Sequence, residues 1–168
     1  LMATSTGGTL ALKLASVYPE IAGLILLSPN IELNDGKAWM LNNPWGLQIA
    51  KFVKDGPYHY SSDTTAVYKK YWYHQYRVEA LVQLEELLET TMKGSVFEKI
   101  NQPVLLLYYY KDEDNQDRVV KVSAMKRMFA QLGTPTDKKR EKALPNAGDH
   151  VIWPESGRDD CRGGPAGS

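Results

Sequence analysis

Two uninterrupted apolar runs constrain this 168-residue chain more than any other feature. Leu24 to Leu27 is closed by Ser28-Pro29-Asn30, and Val104 to Tyr110 is opened by Gln102-Pro103. A strand with one face in water alternates apolar and polar residues. A run without alternation predicts a strand buried on both faces, the habit of parallel sheets. A helix precedes the first run. Leu10, Leu14 and Val17/Tyr18 recur at helical spacing beside Ala11 and Ala15, and Pro19 marks the end. Helix followed by buried strand predicts a βαβ unit, hence an α/β fold with a mostly parallel sheet and flanking helices.

The pattern changes over 34–100, which is rich in Tyr, Trp, Lys and Glu. Val78, Leu81, Val82, Leu88 and Met92 make one apolar stripe, and Trp39, Leu47, Ile49 and Phe52 hint at a shorter helix. Asp55-Gly56-Pro57 reads as a turn and Ser61-Ser62-Asp63 as a helix cap. No strand stands out, so a helical insertion is expected. The core pattern resumes over 101–152. The strand PVLLLYYY leads to a polar loop, KDEDNQD, then to a helix carrying Val122, Met125, Met128/Phe129 and Leu132. Gly133 and Pro135 stop that helix. A short strand near Lys142 to Leu144 precedes the loop PNAGDH. Residues 153–168 are poor in apolar side chains and dense in Gly, Arg, Asp and Pro, and are expected to be disordered or out of the natural frame. The expected organisation is core over 1–33, insertion over 34–100, core again over 101–152, and a tail.

Charge and composition remove several functions. Lys plus Arg (20) equals Asp plus Glu (20), which leaves no electrostatic footprint for nucleic acid. The stretches YHY and YKKYWYHQY could stack bases. In a neutral chain, and inside a helical insertion, packing or lining an acyl pocket is the better expectation. His59 and His74 in these stretches are read as surface or packing residues. The apolar runs fall far short of the roughly 20 residues that span a bilayer, so no stable membrane insertion is expected. Cys161, the single cysteine, cannot form a disulfide within the chain. No Cys/His spacing suits a metal and no Gly-rich loop suits a phosphate, so neither metal nor cofactor is expected. Nothing in the residues sets the oligomeric state. Nothing sets the localisation either, for which cytoplasm is the default.

Three residues stand where chemistry gathers in open α/β sheets, at the carboxyl ends of strands. Ser5 lies just before the first helix, Asp117 after the PVLLLYYY strand, and His150 after the last strand. A serine hydroxyl needs a base to take its proton. That base, usually His, needs a carboxylate to hold its tautomer. Asp112 and Asp114 lie nearer the strand end and compete with Asp117.

With these residues in place the chain resembles the α/β-hydrolase superfamily, the lidded esterase or lysophospholipase-like serine hydrolases in particular. The resemblance covers residues 1 to 152. The family's G-x-S-x-G elbow is matched by Ala3-Thr4-Ser5-Thr6-Gly7, with alanine in the first glycine position, and the chain order Ser, acid, His is kept. Asp117-Arg118-Val119-Val120 is similar to an Asp-x-Val-Val stretch that follows a strand in many relatives. The resemblance implies that Ser5, Asp117 and His150 are catalytic and that the Thr6 N–H donates to the oxyanion. It also implies that 34–100 is a lid, with Trp39, Trp45, Tyr71 and Trp72 toward a substrate with an apolar acyl or aromatic group. The implied partner is a small-molecule ester, cleaved through an acyl-enzyme. An acyltransferase or thioesterase, or a non-catalytic binding protein of the same fold, is the alternative. The second oxyanion donor and the earlier strands are expected upstream of Leu1, so the chain is expected to be a C-terminal fragment.

Overall fold

The computed structural model describes residues 1–35, 45–53, 56–60, 73 and 75–152. Trp39, Tyr71, Trp72, His74, Asp55, Ser61-Ser62-Asp63 and the tail 153–168, with Cys161, lie outside the described residues. The chain divides into two compact units, Leu1–Ala38 with Leu84–Ile152, and Trp39–Gln83 with Trp153–Ser168. The boundary between Gln83 and Leu84 falls inside the 34–100 span read as an insertion. Its last helix is apolar enough, at Leu88 and Met92, to belong from Leu84 onward with the sheet unit.

In the first unit, β1 (Met2–Thr4), β2 (Leu24–Leu27), β5 (Val104–Tyr108) and β6 (Lys139–Ala143) form one sheet in the order β1-β2-β5-β6. Every pairing is parallel, with Ala3 beside Leu26, Leu26 beside Leu106, and Tyr108 beside Ala143. Helix α1 (Thr6–Ala15) connects β1 to β2. Helix α5 (Val122–Gln131) and a 3-10 turn (Thr136–Lys138) connect β5 to β6. Strand β6 begins earlier than its apolar end implied. It is an edge strand of Lys139-Arg140-Glu141-Lys142, and ladder hydrogen bonds do not require apolar side chains.

The core collects on one face of this sheet. Leu24, Leu26, Val104, Leu106 and Tyr108 point into it and meet Ala11, Leu12 and Ala15 from α1 and Val122, Met125 and Met128 from α5. The other face is less covered: Ile25 is 39 % exposed, and Leu27, Leu105 and Leu107 are half-buried. The expectation of strands buried on both faces is therefore corrected. The cause is that the core helices α1 and α5 pack on the Leu26 side.

Helix α1 also buries a different stripe from the one its large residues trace. Gly8, Thr9, Ala11, Leu12 and Ala15 are buried, whereas Leu10, Leu14, Val17 and Tyr18 are exposed. The small residues let the helix approach the backbone closely. A Cβ placed on Gly8 would lie 2.6 Å from Pro29 Cβ.

In the described part of the second unit, α2 (Gly46–Val53) is the short helix expected there, although Phe52 is exposed. The absence of strands is corrected. β3 (Tyr58–Tyr60) pairs antiparallel with β4 (Gln75–Arg77), and the His59 and Tyr76 rings lie 4.9 Å apart. Three-residue strands carry too little alternation to be seen locally, because their pairing is non-local. Helix α3 (Val78–Thr91) follows β4, and the division between the units falls within it. Helix α4 (Gly94–Phe97) lies in the first unit.

Candidate active site

The tight turn from β1 into α1 sets the geometry of the site. Ser5 occupies it at φ 50° and ψ −126°, a backbone region that L-residues seldom adopt. Holding a non-glycine residue there costs on the order of 1–3 kcal/mol, so the surroundings must over-determine it. They do. The Ser5 N–H donates to Leu27 O (3.1 Å), and its carbonyl accepts from the N–H of Gly8 (2.9 Å) and of Asn30 (3.0 Å). The alanine that replaces the first motif glycine does not crowd the second, since even a Cβ added to Gly7 would stand 3.8 Å from Ala3 Cβ, an ordinary contact.

The loop after β5 delivers Asp117. Its N–H donates to Tyr109 O (3.2 Å), and its Oδ1 accepts from the amides of Val119 (2.9 Å) and Val120 (3.1 Å). Oδ2 is then left for His150, whose Nδ1 lies 2.7 Å away. His150 Nε2 lies 2.9 Å from Ser5 Oγ. Asp117 and His150 are buried and Ser5 is half-buried. Burial pushes the Asp117 carboxyl up. The hydrogen bond and charge of His150 and the Val120 and Val119 amides outweigh it, and the group ends below the usual carboxylate range. The third turn is set by Gly148 at φ 72° and by Asp149, whose Oδ1 accepts from the His150 N–H (2.6 Å).

Asp112 and Asp114 do not take this place. Asp112 closes its own loop, accepting from the amides of Asp114 (3.1 Å) and Asn115 (2.8 Å), and both carboxylates are exposed. Asp112 is held below its ordinary value by Asn115, in a turn of its own. Thr6 is the first residue of α1, so no carbonyl one turn earlier can accept its N–H. Of the four aromatic residues assigned to substrate, Trp45 alone is described, and it is 70 % exposed. A cavity of about 250 Å³ in the first unit, lined in part by Glu85, Leu88, Met92 and Phe97, includes none of Ser5, Asp117 and His150.

Sequence reasoning missed Ser28-Pro29-Asn30 as part of the site and took it only as a strand end. Ser28 is the other described non-glycine residue at positive φ (41°). The Ser28 hydroxyl and Asn30 Oδ1 are buried with no hydrogen-bond partner. A proline flanked by two small polar residues is a turn signal, but nothing local says which backbone carbonyl the turn will meet. Among the described residues, no group of three or more His, Cys, Asp or Glu could hold a metal, and no helix is long and apolar enough to cross a membrane.

The arrangement is a continuous line of hydrogen bonds from a hydroxyl through an imidazole to a carboxylate, at the carboxyl ends of parallel strands. No protein-family model matches the chain, and no curated protein matches it in sequence. Solved structures do match in three dimensions. A metagenome-derived lipolytic enzyme aligns with a TM-score of 0.65 at 17 % identity, covering 88 % of this chain and 57 % of that one. The monoacylglycerol lipase of Paleococcus ferrophilus aligns at 0.64 and 19 %, covering 96 % and 64 %. A soluble variant of the monoglyceride lipase of Saccharomyces cerevisiae, in complex with a substrate analogue, aligns at 0.58 and 15 %, covering 95 % and 57 %. This chain therefore spans less than two thirds of the length of each of these structures.

Proposed function

We propose that this chain, whose fold is that of the α/β hydrolases, carries the nucleophile, base and acid of a serine esterase. The observation that supports the reading is the line Ser5 Oγ, His150 Nε2, His150 Nδ1, Asp117 Oδ2, with steps of 2.9 and 2.7 Å between residues. In the proposed reaction Ser5 Oγ attacks an ester carbonyl as its proton passes to His150 Nε2. The alcohol leaves with that proton, giving an acyl-serine. Water then attacks the acyl carbon, again losing its proton to His150, and Ser5 regains a proton as the acid departs. Asp117 keeps the Nδ1–H tautomer in place and stabilises the imidazolium. The Thr6 N–H, at the positive end of α1, donates to the oxyanion of each tetrahedral intermediate.

The substrate we assign is an ester with an apolar acyl or aromatic group. Its support is the aromatic content of the insertion, which holds Trp39, Trp45, Tyr71 and Trp72. The insertion acts as a lid in this reading. A fluorophosphonate probe tests the nucleophile: Ser5 is labelled in the folded protein and Ser5→Ala is not. A folded protein left unlabelled at Ser5 would overturn the assignment. Rates on p-nitrophenyl esters of increasing chain length test the substrate class. Acyl transfer to an added alcohol that outruns hydrolysis would make the protein an acyltransferase instead.

A further inference from the structure

The peptide unit that supplies the proposed oxyanion donor is shared by two residues, because the Thr6 N–H belongs to the same plane as the Ser5 carbonyl. In a trans peptide the two groups point in opposite directions, so whatever fixes the carbonyl fixes the aim of the N–H. Two donors fix it here. Gly8, one turn into α1, is the ordinary one. Asn30, 25 residues further along the chain than Ser5, is not. Its N–H reaches Ser5 O at 3.0 Å from the turn that ends β2.

That turn is held through its backbone and through Pro29. Ser28 keeps the sheet ladder through its N–H to Leu107 O (2.8 Å) and then turns at φ 41°. Pro29 packs into the space left by the missing side chain of Gly8. The Thr9 hydroxyl, fully buried on α1, donates to the Asn30 carbonyl. Asn30 itself is 2 % exposed. A strained, close-packed turn of this kind persists only where its surroundings over-determine it. What it presents to the site is one backbone N–H.

We infer that Asn30 is a positioning residue, whose N–H acts through the Ser5 carbonyl to aim and polarise the Thr6 N–H toward the developing oxyanion. The inference rests on Ser5 being the nucleophile. Hydrogen bonds in series strengthen one another, so a carbonyl that accepts two donors makes the N–H of its own peptide a better donor. Thr9 holds Asn30 in place and is the second member of the device.

Three measurements on the full chain test this. In the unmodified protein, NMR detects a through-hydrogen-bond coupling between the Asn30 amide nitrogen and the Ser5 carbonyl carbon. Its absence would overturn the inference. Replacing Asn30 by its α-hydroxy acid analogue puts an ester oxygen where the N–H stood, and Thr9→Val removes the supporting hydroxyl at nearly constant shape. Both move the Thr6 amide proton upfield, and both slow the fluorophosphonate reaction of Ser5 about tenfold, less than loss of a whole oxyanion donor because the Thr6 N–H remains. On an ester substrate the loss falls on kcat with KM unchanged, and Thr9→Ser restores the rate. Folded variants with an unmoved Thr6 resonance, or with an undiminished rate in a protein whose wild type reacts, would overturn it. If the wild type does not react, the nucleophile reading fails and the oxyanion role of Asn30 fails with it, while the coupling and the Thr6 resonance still show whether Asn30 fixes the Ser5 peptide.

Discussion

Asp117 divides its two carboxylate oxygens between two tasks: Oδ1 accepts from the backbone of Val119 and Val120, and Oδ2 meets His150 Nδ1 at 2.7 Å. The first set of bonds aims the second. Asp117→Asn keeps the shape but puts an amide opposite the ring, which favours the wrong tautomer. Esterase kcat should fall by roughly 10⁴, as loss of the acid does in other triads. Asp112→Asn and Asp114→Asn should stay near the wild-type rate. A large loss with either, and none with Asp117→Asn, would move the acid to another loop.

The same carboxylate sets an acid limit on stability. Its pKa lies below the ordinary range in the folded protein. The stability it contributes is therefore complete above the unfolded value of about 3.9 and is lost as pH falls through the lower folded value. Thermal melts from pH 6 to pH 2 should show a steeper acid decline for wild type than for Asp117→Asn. Parallel curves would mean that the pair with His150 adds nothing to the fold.

Glu85 behaves in the opposite sense. Burial, then the neighbouring Glu89, Glu32 and Asp35, push its carboxyl up, and its Oε2 is buried with no hydrogen-bond partner. Its contribution is best below the ordinary carboxylate pKa and is lost as pH rises through the raised one. Glu85→Gln should therefore melt about 2–4 °C above wild type at pH 8, the size of roughly 1 kcal/mol in a chain of this length, and converge with it near pH 4. A constant offset across pH would sink this account.

Gly8 and Gly7 are adjacent but not equivalent. A Cβ on Gly8 would stand 2.6 Å from Pro29 Cβ and 2.9 Å from Pro29 Cα, so Gly8→Ala should destabilise by about 1–3 kcal/mol, as overpacking does. Gly7→Ala gains helix propensity at an unstrained contact and should be neutral, or stabilising by up to about 1 kcal/mol. Urea titration of the two variants distinguishes them. Equal effects would mean that the turn at Pro29 does not press on the helix.

The choice of buried face on α1 is tested by a pair of leucines. Leu12 is fully buried and Leu10 is 48 % exposed. Leu12→Ala should cost about 2–5 kcal/mol, while Leu10→Ala should stay within about 0.5 kcal/mol. The reverse order would restore the stripe that the large residues trace.

Much of the sheet unit is legible in local signals. The apolar runs at Leu24–Leu27 and Val104–Tyr108 announce parallel strands, and Gly133 and Pro135 announce the end of α5, because solvent exclusion and backbone freedom act residue by residue. Edge strand β6 shows a local signature only at its apolar end, because its start is charged, and the β3–β4 ribbon is too short to show one. The α1 stripe misleads for a related reason. Periodicity finds apolar stripes, but close approach to Pro29 favours the smaller one.

At the site, the sequence by itself determines the kind of chemistry available: a serine in a small-residue turn, then acids, then a histidine, each after a strand. It does not determine which carboxylate meets the imidazole, or that Asn30 donates to the Ser5 carbonyl. Asp117 and His150 are 33 residues apart and Ser5 and His150 are 145 apart, so local preference says nothing about their separation. Only the register of four parallel strands, which brings the loop ends together on one edge, makes those contacts.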